Sequence, residues 1–146
     1  MSTQSTQPNK AVVRRCYREV LEEGNLHLLD EIAVPDYDEH DPLPGQGTGR
    51  EGLKQRVQML RNAFQPQFAV EDVIAEDDKV VVRWTSHGTH VGEFMGLPPT
   101  GRSYTIAGID VHALRDGKLA EHWHVVDLLG QLQQLGVLPQ PAQAPA

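Results

Sequence analysis

The chain has 146 residues, 39% hydrophobic and 23% charged, which suits one core in one domain and is too apolar for a disordered chain. Lys plus Arg is 13 and Asp plus Glu is 20, a net charge of −7 with neutral histidines; this opposes phosphate backbones and anionic lipid, so neither nucleic acid nor membrane is an expected partner. A single cysteine, Cys16, excludes an internal disulfide and a thiolate zinc site, whereas 7 histidines are an unusual supply of groups that titrate near neutral pH.

The first residues, Met1 to Pro8, are rich in Ser, Thr and Gln, and Pro139 to Ala146 holds only Pro, Ala and Gln. Neither end buries enough apolar surface to offset ordering, so 1–9 and 139–146 are expected to be disordered tails around one domain, 10–138. Val12, Val13, Cys16, Tyr17, Val20 and Leu21 share one helical face, with Asn9 as N-cap and Gly24 as the stop. Asn25 caps a short second helix carrying Leu28, Leu29 and Ile32, which ends before Pro35. The run Asp36 to Gly49 reads as a loop, because prolines and glycines recur along it. Thr48 and Glu51 have capping-box spacing before a helical stripe of Leu53, Val57, Leu60 and Phe64 that stops at Pro66.

From Gln67 the period changes to two. Phe68 to Ala75, Lys79 to His90, Ser103 to Arg115 and Leu119 to Asp127 are predicted strands, with Asp77-Asp78 and Asp116-Gly117 placed for hairpin turns. Leu128 to Leu135 closes the chain as a short helix. Helices followed by antiparallel strands predict an α+β domain whose curved sheet closes over helices and leaves a cavity. No window supplies the ~20 apolar residues of a membrane helix, and no secretion signal opens the chain, so a cytoplasmic location is expected.

Strand parity sorts the polar residues by face. On the last strand Glu121, Trp123, Val125 and Asp127 share one side and Ala120, His122, His124 and Val126 the other. If the first side lines the cavity, Asp127 is a desolvated carboxyl suited to proton transfer; its structural alternative is an N-cap for the helix at Leu128. On the preceding strand Asp110 and His112 share a face that is either solvent or a polar cavity wall, opposite the apolar set Ile109, Val111 and Ala113. Trp84 falls with Val80 and Val82 in the core, with Arg83 on the other side. His40, in the acidic run, is either a base at the cavity mouth or a solvated side chain. His122 and His124 read as surface or subunit-contact groups, and their convergence with His87 and His90 on a metal is disfavoured because neither a helical H-E-x-x-H nor a cysteine ligand is present.

Gly88-Thr89-His90, Gly92-Glu93-Phe94-Met95-Gly96, Pro98-Pro99-Thr100-Gly101-Arg102, Gly108-Ile109-Asp110, Asp116-Gly117-Lys118-Leu119, Glu121-His122-Trp123, Asp127 and Gln134-Leu135-Gly136 occur in an order that resembles the SnoaL-like polyketide cyclases. The resemblance spans about Lys10 to Gly136. It implies the conical α+β barrel of the nuclear-transport-factor-two-like fold and ring closure by intramolecular aldol condensation of a hydrophobic carbonyl substrate, with neither metal nor organic cofactor. It further implies Asp127 as the acid/base, His112 and His40 as assisting catalytic residues, and Asp110, Trp84, Trp123, Val125 and Tyr17 as substrate contacts. A homodimer through the outer sheet face goes with the fold. The competing reading is a ligand-binding or dimerisation module of the same fold without turnover, or an isomerase, dehydratase or hydrolase on that scaffold.

Overall fold

The structure, a computed structural model, describes residues 6–139. The chain opens with α1 (Gln7–Arg15), which widens without a break into a π-helical stretch, Cys16–Glu22, where the Glu23 N–H reaches back five residues to the Arg18 carbonyl. Helix α2 (Leu28–Ile32) then leads straight into a strand, β1 (Ala33–Glu39), and α3 (Gly49–Phe64) follows a loop. The remaining strands are β2 (Gln67–Glu76), β3 (Lys79–Thr89), β4 (Ser103–Arg115) and β5 (Lys118–Val126), with α4 (Leu128–Gln134) at the end.

The strands form one sheet ordered β1-β5-β4-β3-β2, antiparallel except that β1 runs parallel to β5. Its inner face packs on α1, the π-helical stretch and α3. The α3 stripe points Leu53, Val57 and Phe64 into this core, and each such side chain contributes roughly 1.5–3 kcal/mol on burial. Val13 and Val20 from the first helical segments and Val80 and Val82 of β3 are fully buried in the same core. The four predicted strands, α3 and α4 therefore form where the hydrophobic period places them.

Several local expectations change. Pro8 sits in the first turn of α1, so that helix starts at Gln7 after Thr6, and Asn9, expected as its cap, lies inside it. The tail residues 1–5 and 140–146 lie outside the described residues. Thr48 occupies the N-cap of α3 and His27 that of α2, each without a side-chain cap bond, so neither the capping box nor an Asn25 cap forms. The largest difference is β1: part of the proline-bearing acidic run is an edge strand, where Pro35 costs no ladder bond on the open side. It turns Tyr37 and Glu39 inward and Asp38 outward.

One bulge decides which residues meet inside. The turn Asp116-Gly117, with φ of 53° and 77°, pairs Arg115 with Lys118 and Leu114 with Leu119. Continued without interruption, that register would set Asp110 against Trp123. Instead Ala113 pairs with Glu121, leaving Ala120 as an extra residue, and from there His112 faces His122 and Asp110 faces His124. A one-residue slip moves every later side chain to the other face. His122, His124 and Val126 consequently point inward, and Trp123, Val125 and Asp127 do not.

Candidate active site

Inside the cone is a cavity of about 700 Å³, bounded by the π-helical stretch, α3, the loop after β1 and the inner face of the sheet. Its walls are mainly apolar, including Leu53, Val57, Phe68, Phe94 and Ile106. A polar patch interrupts them: Tyr17, Trp84, Asp110, His112 and His122, with Glu39 beside it.

Asp110 is at the centre of that patch. Its Oδ2 accepts the Trp84 indole N–H at 2.8 Å and a short hydrogen bond from the Tyr17 hydroxyl, and its Oδ1 lies 3.2 Å from His122 Nε2. Three of roughly four acceptor positions of the carboxylate are thereby filled. Burial alone would raise this carboxyl, but the hydrogen bond and charge of His122 reverse the effect and hold it at about 2. Burial likewise pulls the His122 imidazole down, and its bonds to Asp110 and to Glu39, whose oxygens both lie 2.8 Å from Nδ1, lift it to about 9. Near neutral pH His122 is an imidazolium between two carboxylates.

The protons of the neighbouring groups follow. Because the Tyr17 hydroxyl donates to ionised Asp110, the His112 ring, 2.9 Å away, carries its proton on Nε2 and donates to the Tyr17 oxygen. Burial, then the charge on His122, push His112 down to about 3, so it is neutral. Its Nδ1 is buried without a partner among the described residues. Burial and the Asp110 charge hold the Tyr17 phenol well above its ordinary value. Gly108, opposite Trp84 in the β3–β4 register, admits the indole: a Cβ there would stand 2.2 Å from the ring.

A second polar group flanks this one. Arg56 of α3 donates to the Asp41 carbonyl at 3.2 Å and to Gln46 Oε1 at 3.3 Å, lies 3.8 Å from Glu39, and brings Nη2 to 3.5 Å from His124 Nδ1. The His124 ring stacks on His122 with centroids 5.2 Å apart. Asp41 also receives the His124 backbone N–H, tying the loop to β5.

The expected site residues divide by face. Tyr17, Trp84, Asp110 and His112 come together as described. Asp127 does not join them: it is exposed, and its Oδ1 accepts the Gly130 N–H at the start of α4, so the capping alternative is the one realised. Trp123 lies on the outer face with the His40 ring stacked on it at 4.4 Å, and His40 turns Nε2 to Glu121 at 3.1 Å. His40 borders the cavity mouth, and Val125, 77% exposed, stands at its rim. Both corrections for Asp127 and Trp123 follow from the bulge at Ala120. Parity had grouped His122 and His124 together, and the register shift is what brings them into the cavity.

Metal-ligand geometry exists in two inner groups, Asp110 with His112 and His122, and Glu39 with His122 and His124, each offering ligand atoms within 4.8 Å of one another. In the first group His122 pairs directly with Asp110, and His112 is linked to Asp110 through the Tyr17 hydroxyl. His87 pairs with Gln67 and His90 with Thr100, so neither approaches His122 and His124.

The family model for SnoaL-like polyketide cyclases matches residues 11–135. The chain belongs to that family. Among curated SnoaL-like relatives, the nogalonic acid methyl ester cyclase of Streptomyces nogalater is 35% identical over 118 residues, covering 77% of this chain and 87% of the relative. An aklanonic acid methyl ester cyclase of Streptomyces peucetius is 31% identical over 131 residues, 82% of this chain and 87% of the relative. In structure the chain is similar to TsrD of Streptomyces laurentii, with a TM-score of 0.83 at 29% identity over 92% of this chain and 98% of that one. The SnoaL-like fold is thus the α+β cone expected from the element order.

Proposed function

We propose that this protein is a cofactor-free cyclase that closes a ring by intramolecular aldol addition in a polyketide-type ester. The observation that carries the reading is the buried relay Glu39–His122–Asp110, braced by Tyr17, Trp84 and His112, on the wall of a mainly apolar cavity of about 700 Å³. That volume is in the range of sites for drug-sized ligands. The names of the related methyl ester cyclases supply the substrate class.

In this mechanism Asp110, the carboxylate in the cavity, takes the acid/base role that the family resemblance implies for Asp127. It accepts a proton from the carbon α to a carbonyl through the remaining acceptor position on Oδ1. The enolate attacks a second carbonyl of the same molecule, one carbon–carbon bond forms, and the carbonyl π bond becomes an alkoxide. Protonation of Asp110 frees the His122 Nε2–H, which the imidazolium gives to the alkoxide, and protonated Asp110 returns its proton to Nε2 across their contact. The product is an isomer of the substrate and the relay is restored. His112 holds Tyr17, and Tyr17 holds Asp110.

The proposal extends to assembly and location. On the outer sheet face Ile74, Val81, Val111 and Trp123 stand in one cross-strand row, beside Ile109 and Val125. Ile74 and Val125 are 63% and 77% exposed, an apolar strip that a second copy would cover to give a homodimer. Among the described residues no helix is long and apolar enough to cross a membrane. The one cysteine, Cys16, is buried and unbridged, which goes with the cytoplasmic setting proposed.

The test is turnover of aklanonic or nogalonic acid methyl ester by the purified protein in the presence of chelator, followed by chromatography with mass detection. The expected result is a ring-closed product of unchanged mass, lost in Asp110→Asn and kept in Asp127→Asn. No product above the uncatalysed rate, or full activity in Asp110→Asn, overturns it.

A further inference from the structure

The relay leaves one chemical demand unmet. A carboxylate that receives three hydrogen bonds is a weak base, so the step it starts needs strong stabilisation of the oxygen on which negative charge develops. The donors of the relay are directed at Asp110 and Glu39. The second polar group holds Arg56 by Asp41, Gln46 and Glu39 and leaves the outer edge of the His124 ring turned to the cavity.

We infer that Arg56 and His124 form the oxyanion subsite of the reaction, with His124 acting as a neutral hydrogen-bond donor through Nε2 and not as a proton acceptor. This rests on the cyclase reading and assigns the residues that hold the acceptor carbonyl.

The geometry supports each part. A guanidinium has donors and no lone pair, so the His124 edge that faces Arg56 Nη2, Nδ1 at 3.5 Å, is the unprotonated one, and the proton of the neutral ring sits on Nε2. His124 Nε2 has no hydrogen-bond partner among the described residues, and the side chain lines the cavity. Burial, then the charges of Arg56 and His122, hold this imidazole below its ordinary value, which keeps it neutral near pH 7. Arg56 is fixed in place by the Asp41 carbonyl, Gln46 and Glu39, so its guanidinium is oriented before a ligand arrives. The ring stack places His124 one functional group from His122, the acid that finally protonates the alkoxide. Negative charge created at the acceptor oxygen is therefore met by a fixed cation and a neutral N–H, and the proton donor is adjacent.

Two measurements test this, one of them independent of turnover. In protein labelled with nitrogen-15 at histidine, two-bond proton–nitrogen correlation at pH 7 is expected to show His124, assigned by its absence from His124→Asn, as the neutral Nε2–H tautomer. An Nδ1–H tautomer or an imidazolium overturns the assignment whether or not a substrate is known. With aklanonic acid methyl ester in deuterium oxide, His124→Asn, which keeps a neutral N–H donor, is expected to retain exchange at the α carbon and to slow ring closure by about 10-fold. His124→Ala and Arg56→Gln are expected to retain exchange and lose roughly 10²–10³ in ring closure, the range seen when one oxyanion donor is removed. Exchange abolished in both His124 variants, with His124→Asp as active as wild type, would make His124 the base and overturn the inference. Wild-type protein that neither exchanges nor cyclises any such ester refutes the cyclase reading instead, while the tautomer still decides the assignment of His124.

Discussion

Asp110 and Asp127 carry the same side chain into opposite surroundings. Asp110, on the inner face of β4, takes donors from Tyr17, Trp84 and His122 and is walled off from solvent. Asp127, one residue past β5, is exposed and takes a single backbone N–H from the first turn of α4. The contrast teaches that a carboxylate's role is set by the number and charge of its donors and by exclusion of water. The helix cap needs only one donor and no burial. The relay needs a partner charge, since the imidazolium of His122 contributes most to offsetting the burial of the Asp110 carboxylate, with the Tyr17 hydroxyl adding to it.

The comparison breaks most directly at Asp110. Asp110→Asn leaves the His122 imidazolium with one carboxylate instead of two, and breaking such a buried pair costs about 3–5 kcal/mol. Removal of the proton acceptor is expected to lower kcat by roughly 10²–10⁴. Urea unfolding and single-turnover kinetics on the methyl esters check the two parts; an unchanged midpoint would show that the relay is not ionised.

Next in size is the pH dependence of stability. The His122 pKa rises on folding from about 6.5 to about 9, so its contribution is complete below about 6.5 and is lost as pH rises through 9. His112 falls to about 3, so the unfolded chain binds a proton that the native state does not, and stability declines as pH drops below about 6.5. Asp110 adds to that limb between about 4 and 2. Thermal unfolding measured from pH 3 to 10 is expected to give a maximum near pH 6.5, with the alkaline limb flattened in His122→Asn. A plateau from pH 6.5 to 9 in the wild type would remove the imidazolium from the picture.

Smaller effects sharpen the contrast. Tyr17→Phe removes a single donor from Asp110 and strands the His112 N–H, for a loss of about 1–3 kcal/mol by denaturant melting. Asp127→Ala removes only a cap and is expected to cost about 0.5–2 kcal/mol with kcat unchanged. Val125→Glu on the outer face is expected to leave the melting of the fold nearly unaltered and to convert a dimer to a monomer in light scattering.

Much of this was legible in the chain. The two periods located α3 and the four long strands, because burial of one face is what those periods encode. β1 was not legible, since prolines and acids hide a strand whose partners lie on one side only. The π-helical stretch that aims Tyr17 at Asp110 leaves no mark in the hydrophobic spacing. For the site, parity separates the faces within β4 and within β5, and Asp110, His112, Trp84 and Tyr17 lie together in the cavity. Which faces belong together depended on Ala120, a small residue with no turn chemistry, whose insertion as a bulge turned Trp123 and Asp127 out and brought His122 and His124 in. The apolar set Ile109 and Val111 reinforced the other choice, because these apolar residues lie on the outer face.

The space left by Gly108 gives a non-titrating position control over an ionising one. The Trp84 indole occupies the place of the missing side chain, and only from there does its N–H reach Asp110. A methyl group at 108 would force the ring aside or spread two strands, exchanging a hydrogen bond for hydrocarbon and raising the proton affinity of a carboxyl two residues along the strand. Variation at this position is therefore a means of adjusting base strength without touching any acid or base, and Gly108→Ala is the place to begin where a stronger base is wanted.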